Sequence, residues 1–167
     1  MENEDIRLVK VDITNFDDLV DLEPYKSQYP FVADNSYSLA EAYANIMSGR
    51  YAQPFGIYNG DTPVGFLMIG YNIADEEGDA EKFPILVNNY EIWRFMIDKN
   101  YQQKGYGRKA MELALQFIRT FPCGKADYCW LSYNPENEVA RKLYKSFGFE
   151  EKPMPEGWDE VPAVLKL

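Results

Sequence analysis

Two stretches of this 167-residue chain carry residues whose types and spacing suit chemistry. The first is Gln102-x-x-Gly105-x-Gly107, which follows the apolar run Ile92 to Ile97. A strand that leads through a glycine turn into a helix points several backbone N–H groups at one spot. The helix N-terminus adds orphan donors and a partial positive charge, so that spot suits phosphate oxygens. The second is the pair Asn137 and Tyr144. Their spacing is two helical turns, so they share a face. A tyrosine of ordinary pKa, about 10, is protonated at neutral pH and can donate a proton. The same spacing equally describes a core tyrosine on an amphipathic helix.

These residues need elements to hold them. Residues 5 to 11 alternate and predict a first strand. Thr14 can cap a short helix to about Leu22. Pro24 and Pro30 interrupt an aromatic stretch with Tyr25, Tyr29 and Phe31. Ser38 and Glu41 read as a capping box for a helix to Ser48, stopped at Gly49. Pro54 to Tyr58 and Val64 to Tyr71 read as strands joined through Asn59-Gly60-Asp61, a hairpin turn. Residues 75 to 81 form an acidic loop, either a solvated turn or a cation-binding lip.

Phe83 to Ile97 reads as a long strand region bent near Asn88 and Asn89. Ala110, Leu113, Ala114, Phe117, Ile118 and Phe121 recur at helical spacing, and Pro122 ends that helix. Tyr128 to Tyr133 is a strand. Asn134-Pro135 starts a helix that Gly148 ends. The tail reads as strand, turn at Pro155-Glu156-Gly157, and strand from Val161 to Leu167. This order predicts a mixed α/β (α+β) fold, antiparallel in its first half, with helices on the sheet faces. At this length residues 1–167 are expected to form one domain.

Composition excludes several chemistries. The chain has no histidine, which removes His-based triads and His-containing zinc or iron sites, so no metal is expected. Cys123 and Cys129 make no disulfide framework and fit a reducing compartment, and Cys129 reads as a buried strand residue. The polar, acidic Met1–Asp5 is unlike a leader, and no apolar run is long enough for a membrane span, so the cytoplasm is the expected location. A net charge of −10 argues against nucleic acid. It serves solubility, or attracts cationic ligands.

Gly105-x-Gly107-x-x-Ala110 also matches a dinucleotide fingerprint. The context is poor, because Asp98 to Tyr101 separate strand from glycines and 60 residues follow Gly107. Asp127 stands about 20 positions on, but at the start of a strand rather than its end.

Gln102-x-x-Gly105-x-Gly107, followed by Asn137-x-x-Ala140-x-x-Leu143-Tyr144-x-x-x-Gly148-Phe149, resembles the GNAT superfamily of N-acetyltransferases. Phe31-Val-Ala-x-Asn35-x-x-Ser38 with Arg94-Phe-Met-Ile is similar to the branch containing bacterial spermine/spermidine acetyltransferases. The resemblance implies a GNAT-like, mostly antiparallel sheet of about seven strands. It also implies acetyl-CoA, bound where the strand before the glycines and the strand at 128 to 133 splay apart. Phe95, Met96 and Ile97 would pair with the pantetheine arm. The turn Gln102, Gln103, Lys104, Gly105, Tyr106, Gly107 and Arg108 would hold the pyrophosphate, with Lys109 adding charge. Asn137 would contact the cofactor or order the site, and Tyr144 would protonate the leaving thiolate.

A primary amine acceptor must lose a proton before it attacks. Relatives of the polyamine type often carry an acid just before the Arg-Phe pair, where this chain has Trp93. Glu91, two residues back on the same strand face, is either the base, acting directly or through water, or an exposed strand-end carboxylate. Glu91, Trp93 and Phe31 are the expected acceptor contacts. The implied acceptor is a small-molecule amine, polyamines first, then amino-acid or antibiotic amines. A protein N-terminus or lysine, a CoA-binding module without catalysis and an NAD-dependent enzyme are the alternatives. Family members commonly form homodimers.

Overall fold

The computed structural model describes residues 5–73 and 78–167. Its strands are β1 (Ile6–Lys10), β2 (Tyr51–Asn59), β3 (Thr62–Tyr71), β4 (Tyr90–Ile97), β5 (Tyr128–Tyr133), β6 (Glu150–Glu151) and β7 (Val161–Lys166). They form one sheet in the order β1-β2-β3-β4-β5-β7-β6. β4 and β5 run parallel and all other neighbours are antiparallel. This is the mixed seven-stranded sheet that the sequence predicts.

The helices are α1 (Phe16–Val20), α2 (Asn35–Met47), α3 (Asp79–Lys82), α4 (Tyr106–Ile118) and α5 (Glu138–Ser146). Side chains of successive strand residues face opposite ways, and a register shift in β4 between Ile92 and Arg94 changes the phase, so that Ile92 and Met96 enter different cores. Ile92 joins Ala110, Met111, Leu115 and Tyr144 in one core, beneath α4 and α5. Met96 joins Ala42, Phe66 and Met68 in the other, beneath α2. Met111 and Ile118 of α4 are fully buried, each contributing about 1.5–3 kcal/mol of apolar burial. Among the described residues no helix is long and apolar enough to cross a membrane.

Several local expectations are corrected. Thr14 does not cap α1: its hydroxyl and N–H both bond Asp12, and the helix starts after Asn15. Ser38 does not cap α2. Asp34 does, accepting from the Tyr37 N–H, while the buried Ser38 hydroxyl bonds the Asp34 carbonyl within the first turns. An aspartate and a serine are both good caps, and the helix takes the one that adds a turn.

Residues 83 to 89 are not strand. α3 and a 3-10 turn at Pro84–Leu86 lead into β4, because Pro84 lacks the N–H a ladder needs. Asn134 orders a turn by accepting from Glu136 N–H, and the cap of α5 is Asn137. α4 ends at Ile118, with Phe121 left-handed at φ 53, before Pro122 is reached. Of the acidic loop expected at 75 to 81, residues 75–77 lie outside the described residues, as do residues 1–4 of the N-terminal segment.

Two irregularities in β4 prepare the site. Met68 opposes Arg94 while Ile69 opposes Ile92, so Trp93 is an extra, bulged residue. A bulge bends its strand and raises the local twist. On the other edge, β4 pairs with β5 only at Tyr90–Cys129 and Glu91–Trp130. Beyond those pairs the strands part, and the edge of β4 from Ile92 onward faces the gap.

Candidate active site

A cavity of about 990 Å³ occupies this gap and extends over both of its ends. Phe95, Met96 and Ile97 line it from β4, and Gln102, Gln103, Gly105, Tyr106, Gly107 and Arg108 from the following turn. Asn137 and Tyr144 line it from α5, with Glu91, Trp93 and Phe31. The structure therefore brings together the residues that the sequence nominates for the site, except Lys104 and Lys109. Lys104 is exposed off the cavity wall, its ammonium 5.4 Å from the centroid of the Tyr101 ring.

The turn between β4 and α4 is built by side chains that hold backbone in place. Asp98 is buried and accepts from the N–H groups of Asn100 and Glu23. Gln102 donates to the Ile97 carbonyl at 2.9 Å and exchanges hydrogen bonds with Gln28. Gln102 thus fixes the turn through its amide. Gln103 and Gly105 are left-handed, at φ 62 and 82. Such a conformation costs a residue with a side chain about 1–2 kcal/mol, as at Gln103. Alternation of handedness in a turn aims successive N–H groups into one concavity.

Gly107 has an ordinary φ, and an added Cβ would meet Ile97 and Phe95 at 3.7 Å, normal contact. The protein's own packing does not require glycine there, although the position lines the cavity. Arg108 lies over the Phe147 ring and donates to Ser146 at 2.9 Å. Lys109 pairs with Glu112 at 3.2 Å, away from the cavity wall.

Asn137 accepts from Ala140 N–H at 3.2 Å and so caps the helix that carries Tyr144. Tyr144 is buried between Tyr133 and Phe149, its ring 5.5 and 6.1 Å from theirs. Burial pushes its phenol well above the usual range, and the Glu160 charge adds to that shift. Its hydroxyl makes no hydrogen bond among the described residues. Tyr133 is fixed in turn by Glu151, which also takes Arg141 at 2.7 Å. Desolvation, with the Glu151 bond, raises the Tyr133 phenol to about 12.

The other end of the cavity is acidic and aromatic. Glu41, Asp79, Glu91, Asp159 and Glu160 line it, with Trp93, Trp130 and Trp158. Glu91 is 5% exposed. Glu41 is paired with Arg94, whose guanidinium stands 5.4 Å over the Trp93 ring. Trp158 donates its indole N–H to Asp79 at 3.1 Å and packs edge-on against Phe83. Sequence reasoning missed Glu41, Asp79, Trp158, Asp159 and Glu160. They come from separated segments, and the sole signal was the cluster Trp158-Asp159-Glu160 after a turn. Cys129 is fully buried and its thiol is pushed up by desolvation, which suits the packing role expected of it.

A backbone concavity with a nearby arginine can bind phosphate, an open strand edge can pair with an extended polar arm, and a buried phenol can give up a proton. Among known proteins, the acetyltransferase (GNAT) family model matches residues 19–149. The probable spermine N(1)-acetyltransferase of Bacillus subtilis subsp. natto (strain BEST195) is 30% identical over 135 residues, covering 79% of each chain. The PaiA N-acetyltransferase of Thermoplasma acidophilum, solved with coenzyme A, superimposes with a TM-score of 0.68 at 17% identity, over 97% of this chain and 99% of its own. An aminoglycoside acetyltransferase solved with coenzyme A gives 0.74 at 15% identity, over 96% and 94%.

Proposed function

The chain belongs to the acetyltransferase (GNAT) family, and from that premise we propose that it moves the acetyl group of acetyl-CoA to a primary amine of a small cationic molecule, polyamines first. The observation that carries this reading is the continuity of the cavity. It joins the glycine turn at the start of α4, through the β4–β5 gap, to Tyr144 and a carboxylate-rich end. Relatives named as spermine acetyltransferases support the choice of acceptor. So does the excess of acidic over basic residues on the cavity wall. One domain in the cytoplasm, using acetyl-CoA as co-substrate, completes the reading.

In this mechanism the N–H groups from Gln103 to Arg108 take the pyrophosphate of acetyl-CoA. The β4 edge at Phe95 to Ile97 takes the pantetheine arm, as an added strand would be taken. The acceptor nitrogen reaches the acetyl carbon from the acidic end, with Phe31 and Trp93 on its flanks. Glu91 takes a proton from the ammonium, directly or through water, which frees the nitrogen lone pair. The N–C bond forms and the C–S bond breaks. Tyr144 gives its proton to the departing thiolate and regains one from the nitrogen side through solvent. Burial keeps Tyr144 protonated for that step.

The test is thiol release followed with Ellman's reagent across a panel of polyamines, amino acids and aminoglycosides. Release with polyamines at the highest kcat/KM is expected. Acetyl-CoA binding without release for any amine would reduce the protein to a CoA-binding module. Release with a peptide N-terminus alone would move the acceptor to proteins.

A further inference from the structure

Glu160 stands just before β7, and its carboxylate reaches back to accept a hydrogen bond from the Ser132 hydroxyl of β5. Ser132 lies two residues past Trp130, the last β5 residue paired with β4. The tether therefore fixes Glu160 where the gap between the two strands opens. Glu160, Ser132 and Tyr144 all line the cavity. The other acidic residues there are differently placed. Glu41 pairs with Arg94, Asp79 accepts from Trp158, and Asp159 is exposed. Glu160 has no lysine or arginine partner among the described residues.

A carboxylate has about four acceptor positions, and Ser132 uses one. The remaining lone pairs suit an ammonium, which brings three donors and the matching charge. The Trp158 ring, two residues away on the same loop, offers an apolar surface to the alkyl chain of such a ligand. A neighbouring phenol completes the setting, because the nitrogen that attacks the acetyl group must end close to the group that protonates the thiolate.

We infer that Glu160, anchored by Ser132, is the carboxylate that binds the acceptor's ammonium beside Tyr144. The assignment rests on the acetyltransferase reading of the cavity and adds a residue to it. Its role is separate from that of Glu91: Glu160 holds the nitrogen by its charge, and Glu91 removes the proton. Loss of the Glu160 charge therefore acts on amine binding before it acts on the chemical step.

The experiment is calorimetric titration of spermidine into CoA-saturated wild-type protein, Glu160→Gln, Glu160→Asp and Ser132→Ala, alongside steady-state CoA release. Glu160→Gln is expected to weaken spermidine binding and raise its KM about tenfold or more, equivalent to about 1.4 kcal/mol. Its kcat should stay within about threefold and its affinity for CoA should not change. Glu160→Asp should recover part of the affinity, and Ser132→Ala should lose about threefold by freeing the carboxylate. Equal spermidine affinity in wild type and Glu160→Gln overturns the assignment. So does a fall in kcat at constant KM, or wild-type protein that binds no spermidine. Wild-type protein that binds spermidine, loses it in Glu160→Gln and yet releases no CoA supports the assignment and overturns the transferase reading.

Discussion

The two ends of the cavity are made of different material. The end toward α4 is backbone: a turn with residues 103 and 105 left-handed, the first N–H groups of a helix, and the open edge of β4. Its side chains work mostly behind it, as Gln102 does on the Ile97 carbonyl and Asp98 on two N–H groups. The opposite end is side chain: carboxylates and indoles from α2, α3, β4, β5 and the loop before β7. A backbone site answers to geometry and tolerates change in side chains that point away. A side-chain site answers to each group it contains. The difference means that substitutions at one end should move the cofactor parameters and at the other the acceptor parameters.

Tyr144, which lines the same cavity, should give the largest effect. Tyr144→Phe is expected to lower kcat by roughly 10²-fold with both KM values little changed, because proton donation acts in the transition state. An unchanged kcat removes the acid from the scheme. Gly107→Ala comes next. Its added methyl has room in the protein, so the melting temperature should hold while KM for acetyl-CoA rises about tenfold, about 1.4 kcal/mol. A rise in amine KM instead would mean the ends are not separable. Glu160→Gln is its mirror image.

Lys104→Ala should change KM for acetyl-CoA by less than about twofold, since the ammonium lies off the cavity wall and solvent-exposed charges contribute little. A larger loss, suppressed by salt, would restore the phosphate role that the sequence expects of it. The smallest expected effect is that of high pH. Tyr144 must be protonated to act, and its folded pKa lies above the ordinary 10.0. The kcat profile should therefore rise or level off, without an alkaline fall, up to about pH 10. A falling limb centred below pH 9 would assign the acid to another group.

Legibility followed the same division. Gly105, Gly107, Asn137 and Tyr144 stand within short, ordered motifs, so the family resemblance could nominate residues for the cofactor end, and most of them line the cavity. Phase errors came where two residues could do the same local work. Asp34 and Ser38 both suit a cap, as do Asn134 and Asn137, and in each pair the other residue serves the neighbouring turn instead. The strand expected from Phe83 failed because apolar content alone does not separate a strand from a 3-10 turn that packs Leu86 beneath Trp130.

What the sequence determined by itself was therefore the element order, the mixed sheet, the glycine turn and the candidate acid. The first three follow from local spacing, from residues that lack a Cβ or an N–H, and from periodicity; the acid role of Tyr144 came from the family resemblance, because its spacing equally describes a core tyrosine. What tertiary structure alone decided was the bulge at Trp93, the parting of β4 and β5, and the meeting of Asp79, Glu91 and Glu160 around one cavity. Those depend on which strands become neighbours. That choice is made by burial summed over the whole sheet, and no short stretch of chain records it.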